Sequence, residues 1–136
     1  MDLARSMKIA AAGLDAQATR LKTVSENLAN ANSTATAPGG LPYRRKVVTF
    51  TNVLDRALDA QLVKVNRVQE AGGDFERHYD PSHPAADKDG YVLTPNVNPL
   101  LELMDMREAQ RSYQANLDVI DAAKTMVSRT LDLLHG

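Results

Sequence analysis

Apolar residues alternately three and four positions apart, sustained at both ends of the chain, constrain this sequence more than any other feature. Near the N-terminus Met7, Ala10, Leu14, Gln17, Leu21, Val24, Leu28 and Ala31 keep that step. It is the rhythm of a helix packing along a seam, with Gln17 as its one polar intrusion. Lys8, Asp15, Arg20, Lys22 and Glu26 lie off the seam. The spacing predicts a helix over residues 3–31, weakened inside by Gly13 and stopped by "APGG" at 37–40. The other end repeats the pattern through Leu103, Met106, Gln110, Tyr113, Leu117, Ile120, Lys124, Val127, Leu131 and Leu134. Here the prediction is a helix over residues 99–134, with Pro99 in its first turn and Asn98 as its cap. Two seams of similar length invite pairing with each other, most economically antiparallel, with a parallel arrangement through a long connection as the alternative.

Between the seams the texture changes. "YRRKVVTF", "LVKVNRV", "FERHY" and "GYVLT" are short, β-branched or alternating runs separated by turn residues at Gly72-Gly73, Pro81 and Asp89-Gly90. The slip before Val68 suggests a bulge or a strand end, and "VLDRALDAQ" (residues 53–61) a short helix or an irregular link. The expected fold is therefore α+β and mainly α. Long N- and C-terminal helices pair as a coiled-coil-like core and carry a small β-rich middle segment. The divisions expected are residues 1–36, 37–97 and 98–136.

Composition narrows the function. With 43% apolar and 24% charged residues the chain is not disordered as a whole, and a net charge of −1 does not suit a nucleic-acid binder that works by bulk electrostatics. Cysteine is absent, which removes thiol catalysis, disulfides and Cys-ligated zinc. The loop "HYDPSHPAADKD" holds His78, Asp80, His83, Asp87 and Asp89, but its spacing matches no established metal motif. "DKDG" reads as a turn closing on Gly90. No serine sits on a nucleophile elbow and no glycine-rich loop could cradle a phosphate. Arg44, Arg45 and Lys46 read as solvated charge on an edge strand. Neither catalytic residues, a metal, a cofactor nor a small-molecule substrate is expected.

What remains is the seams. A two-helix pair leaves one side of each helix uncovered, so the seams read as an assembly surface completed by neighbouring chains. The residues expected to form it are Leu14, Leu21, Val24, Asn27, Leu28, Asn30 and Ala31 on the first helix. On the second they are Met106, Tyr113, Leu117, Ile120, Val127, Leu131 and Leu134, to which the family motif described below adds Asn116. Asn27 and Asn30, three apart, are expected to offer their amides across a subunit boundary, where a buried polar group fixes register.

Four segments carry a family resemblance: "SENLANANS", "GGLPYRRKVVTF", "YDPSHPAADKDGYVLTPNVN" and "REAQRSYQANLDVIDAAKTM". Together they resemble the bacterial flagellar axial proteins, and among these the proximal rod subunits, over residues 11–134. The Asn-Leu-Ala-Asn motif at Asn27–Asn30 is shared by rod, hook and junction proteins; the other three segments are more specific. The resemblance implies a structural, non-enzymatic subunit of the basal-body rod, part of a torque-transmitting shaft across the periplasm. It implies partners among the other rod proteins and copies of the chain itself. It also implies export by the flagellar type III apparatus without a cleaved signal, terminal helices lining an inner core, and a C-terminal assembly motif at Arg111–Asn116. The charged start "MDLARSMK" departs from the more apolar one of the family. Two other readings are a coiled-coil scaffold outside the flagellum, and an enzyme using the 74–92 loop with His83.

Overall fold

A computed structural model describes residues 2–136. Its elements run α1 (Leu3–Ala29), β1 (Lys46–Asp55), β2 (Ala60–Glu70), β3 (Glu76–Tyr79), β4 (Tyr91–Thr94) and α2 (Pro99–His135). This is the α+β, mainly helical fold expected.

Both helices start on side-chain caps. Asp2 Oδ1 accepts the amide hydrogens of Ala4 and Arg5 at 3.0 and 3.2 Å, filling donors that a first helical turn leaves open. Asn98 Oδ1 does the same for Leu100 and Leu101 at 3.1 and 3.4 Å. Pro99 occupies the first turn of α2, where a missing N–H costs nothing. α1 ends at Ala29 rather than Ala31. Beyond it the bonds tighten to shorter spans, Ala31 N–H to Leu28 and Ser33 N–H to Asn30.

The chain forms two compact units. The first takes residues up to Leu21, Val48–Arg67 and Arg107–Gly136. Within it the helices run antiparallel: Gly13 lies against Asn116, and Arg20 pairs with Glu108 at 3.6 Å. The row they bury is the small one. Ala10, Gly13 and Ala16 on α1, and Ala109 and Ala123 on α2, are buried, while Leu14, Leu21 and Leu117 are half-buried. A Cβ on Gly13 would stand 2.7 Å from the Asn116 amide, so the backbones approach there as only small residues permit. Past Ala123 every residue of α2 is exposed.

The same unit holds most of the β1–β2 hairpin. Its turn corrects the expected helix or irregular link at 53–61. Asp55 Oδ1 accepts the amide hydrogens of Ala57 and Leu58, and Asp59 takes a left-handed φ of 47°, a local solution open to a short polar side chain. Nor does the slip before Val68 end the strand, which runs to Glu70. Its last residues are exposed on both faces, so nothing there demands alternation.

The second unit takes Lys22–Val47 and Val68–Met106. β3 and β4 pair antiparallel with Glu76 opposite Thr94 and Tyr79 opposite Tyr91. Val92 is buried, and the rings of Tyr79 and Tyr91 meet edge to face at 5.3 Å. The expected turn closes with Gly90 N–H donating to Asp87 O at 3.1 Å. Gly90 has φ 84°, and a Cβ there would come within 2.9 Å of the Tyr79 ring, so both backbone and space require glycine.

Candidate functional site

The two largest fully buried side chains are polar. They are Asn27 and Glu102, each 1% exposed, and they lie in the second unit. Asn27 comes from the last turns of α1, Glu102 from the first turn of α2. The segment before β1 supplies their partners. Asn27 Nδ2 donates to Lys46 O at 2.8 Å and to Glu102 Oε2 at 3.3 Å. Asn27 Oδ1 accepts from Lys46 N–H at 2.9 Å and from the Tyr43 hydroxyl at 2.7 Å. Both amide hydrogens and both lone pairs are thereby used.

Glu102 is held further by an ion pair with Arg45 Nε. A buried carboxylate needs such a partner, because removing a lone charge from water is costly. Around this core, Arg45 N–H donates to Asn96 Oδ1 at 2.8 Å, Tyr43 N–H to Ser33 O at 2.9 Å and Ala71 N–H to Arg45 O at 2.7 Å. These commitments explain why β1 begins at Lys46 although "YRRKVVTF" reads as one strand. Burial raises the Tyr43 phenol above its usual value near 10. The nearby Lys46 opposes this, while Glu26, Glu102 and Glu70 add to it.

The three adjacent cations are not simply solvated edge charge, as the sequence suggested. Arg44 donates to Ala71 O and Gly73 O at 3.1 and 2.9 Å and lies over the Phe75 ring at 4.2 Å. Arg45 serves Glu102, and Lys46 reaches Glu26 at 3.3 Å.

Asn27 corrects another expectation: its amide is spent inside the chain and has nothing left for a neighbour. Asn30 is half-buried and works locally, donating to Glu26 O at 2.9 Å and accepting from Ser33 Oγ at 3.0 Å. Of the other residues expected in an assembly surface, Val24 is buried. Leu14, Leu21, Leu28, Ala31, Met106, Tyr113, Asn116, Leu117 and Ile120 are half-buried, and Val127, Leu131 and Leu134 are exposed. Sequence reasoning missed Tyr43, Arg45, Asn96 and Glu102. The available signal was Glu102 itself, a lone acid in the apolar run "PLLELM", facing an N-terminal seam that ends in amides.

In the 74–92 loop, His83 is fixed at both ring nitrogens. Nδ1 accepts the Ala85 amide hydrogen at 2.9 Å, so the proton sits on Nε2, which donates to Thr34 Oγ1 at 3.0 Å. Asp87 is held below its ordinary value, chiefly by the Tyr91 N–H bond, with Asp89 N–H and Arg77 adding. Among the described residues no group of His, Asp and Glu side chains converges as a metal site would. None of their helices is long and apolar enough to cross a membrane.

Sequence comparison defines the class to which a chain with these two terminal helices and this buried polar junction belongs. Residues 7–36 match the family described as "Flagella basal body rod protein", and residues 88–133 that described as "Flagellar basal body rod FlgEFG protein C-terminal". The chain is 53% identical to the flagellar basal-body rod protein FlgC of Agrobacterium fabrum, with 98% of this chain and 96% of the relative covered. It is 41% identical to the FlgC protein of Salmonella typhimurium, with 98% of each covered. To that of Bacillus subtilis it is 37% identical, over 94% of this chain and 95% of the relative. The chain belongs to the FlgC family of flagellar basal-body rod proteins. As such it is a structural subunit of the rod in the flagellar basal body.

Proposed function

We propose that the chain enters the rod through its terminal helices, by contact with copies of itself and with other rod proteins, and that it carries no catalytic activity. The observation that carries this reading is the end of α2. Val127, Leu131 and Leu134 continue the apolar row, yet all three are exposed and no residue after Ala123 is buried. An apolar row that stays exposed at a helix end gains stability when another chain covers it. Lateral load in such a joint spreads over many apolar contacts rather than a few surface ion pairs, each of which contributes little. The engagement of both His83 nitrogens supports a structural role for the 74–92 loop.

Leu131→Asp/Leu134→Asp tests the surface without touching a buried residue. Cells carrying it as their only copy are expected to make and secrete the chain but to lack rods and motility. Normal swimming would remove these residues from the assembly surface.

The reading places the subunit where the rod crosses the periplasm, after passage through the flagellar type III export apparatus without N-terminal cleavage. The mass of the chain recovered from purified basal bodies checks it. Loss of N-terminal residues would count against it.

A further inference from the structure

The first turns of α2 bury the wrong residue by the usual rule. Leu100, Leu101, Leu103 and Met104 are exposed, Leu103 at 49%, while the acid between them, Glu102, is at 1%. Burial of apolar area would favour rolling this helix start about 100°, the angle between successive residues, so that Leu103 faced inward beside Met106. That is also the face the sequence spacing selects. Among the described residues, Glu102 is met on the inner side by Arg45 and the Asn27 amide, and Ala109, seven residues on along the same face, is buried as well.

We infer that Glu102 is a positioning residue, a rotational pin for α2. Its charge is tolerated inside only where Arg45 and the Asn27 amide meet it. With Ala109 keeping the same face inward two turns on, that requirement holds the helix start in this rotation and keeps Leu100, Leu101, Leu103 and Met104 outward. A buried ion pair adds little net stability compared with apolar packing of similar volume, but losing one partner expels the other. The pin therefore sets orientation more than it adds stability. Its purpose, keeping an apolar face free for neighbouring subunits, rests on the assembly reading above; the rotation itself does not.

Cysteine labelling tests the pin, because the chain has no cysteine of its own. Leu103→Cys supplies the probe, and cysteine is apolar enough to preserve the tendency to bury. In an otherwise unchanged chain the thiol should react readily. Adding Arg45→Met leaves Glu102 without its cation, and the rate at position 103 is expected to fall about tenfold as the helix start rolls, a change of the size local burial gives. Arg45→Lys, which keeps the charge, should restore much of the reactivity.

An unchanged rate in the Arg45→Met chain would overturn the proposal. So would a rate rising towards that in urea, since the ion pair would then hold the fold rather than its rotation. Motility of cells carrying Arg45→Met separates the two readings. Labelling that falls while cells swim normally would leave the pin standing and remove the outward face from assembly.

Discussion

Replacing Asn27 with alanine would strip partners from the N–H and C=O of Lys46 and from the Tyr43 hydroxyl together. Polar groups left buried and unpaired cost more than the bonds themselves contribute, so Asn27→Ala should lose about 2–4 kcal/mol, measured by urea unfolding of the isolated chain. Tyr43→Phe removes one of those bonds and should lose about 1 kcal/mol near neutral pH. The Tyr43 phenol also carries a pH dependence. Burial raises its pKa in the folded chain above the unfolded value of 10.0, so the folded state favours the protonated form. That contribution is fully present below pH 10 and is lost as pH rises through the folded value. The gap in melting temperature between wild type and Tyr43→Phe should accordingly shrink above pH 10. A constant gap to pH 11 would contradict the assignment.

On both helices much of the row actually buried lies one residue from the row the spacing selects. On α1 Gly13, Ala16 and Asn27 are buried in place of the expected Leu14, Gln17 and Leu28, while Ala10 and Val24 of the expected row stay buried. On α2 Glu102, Ala109 and Ala123 are likewise buried beside the expected row. Periodicity finds the helices and their apolar side, but a seam of leucines and a seam of small residues share that side. Where backbones approach closely, the small row wins and the leucines flank it. Gly13→Leu tests this, because it should lose about 1–3 kcal/mol through overpacking although leucine is the better helix former. Gly13→Leu/Asn116→Ala should recover part of the loss, which a double-mutant cycle would measure. The β elements show the reverse: "FERHY" and "GYVLT" were legible as strands, while the tight turn at residues 56–59 was not. Its Asp55 cap and left-handed Asp59 look like any charged helix surface in sequence.

For the molecule as a whole, the assembly proposed above would make order at the exposed end of α2 depend on neighbouring chains. In the isolated chain the amides of Val127–Leu134 should exchange with solvent far faster than those around Ala109, because no buried contact holds the last turns. In assembled rods they should become protected. Protection already present in dilute monomer would mean that this end needs no neighbour. The family followed from short motifs read together, and the junction joins residues from three of those motifs with Glu102. Asn27, the Tyr43–Arg45 segment, Asn96 and Glu102 lie far apart along the chain and satisfy one another's polar groups.

The sequence by itself determined two long helices from their three-and-four spacing, the short strands of the middle segment, and membership of the flagellar axial proteins. Spacing and local turn chemistry are properties of neighbouring residues, so they can be read along the chain. Only the tertiary structure decided which face of each helix is buried, and that Asn27 turns inward rather than across a subunit boundary. Those choices depend on how closely two backbones approach and on which buried charge finds its partner, and residue spacing encodes neither.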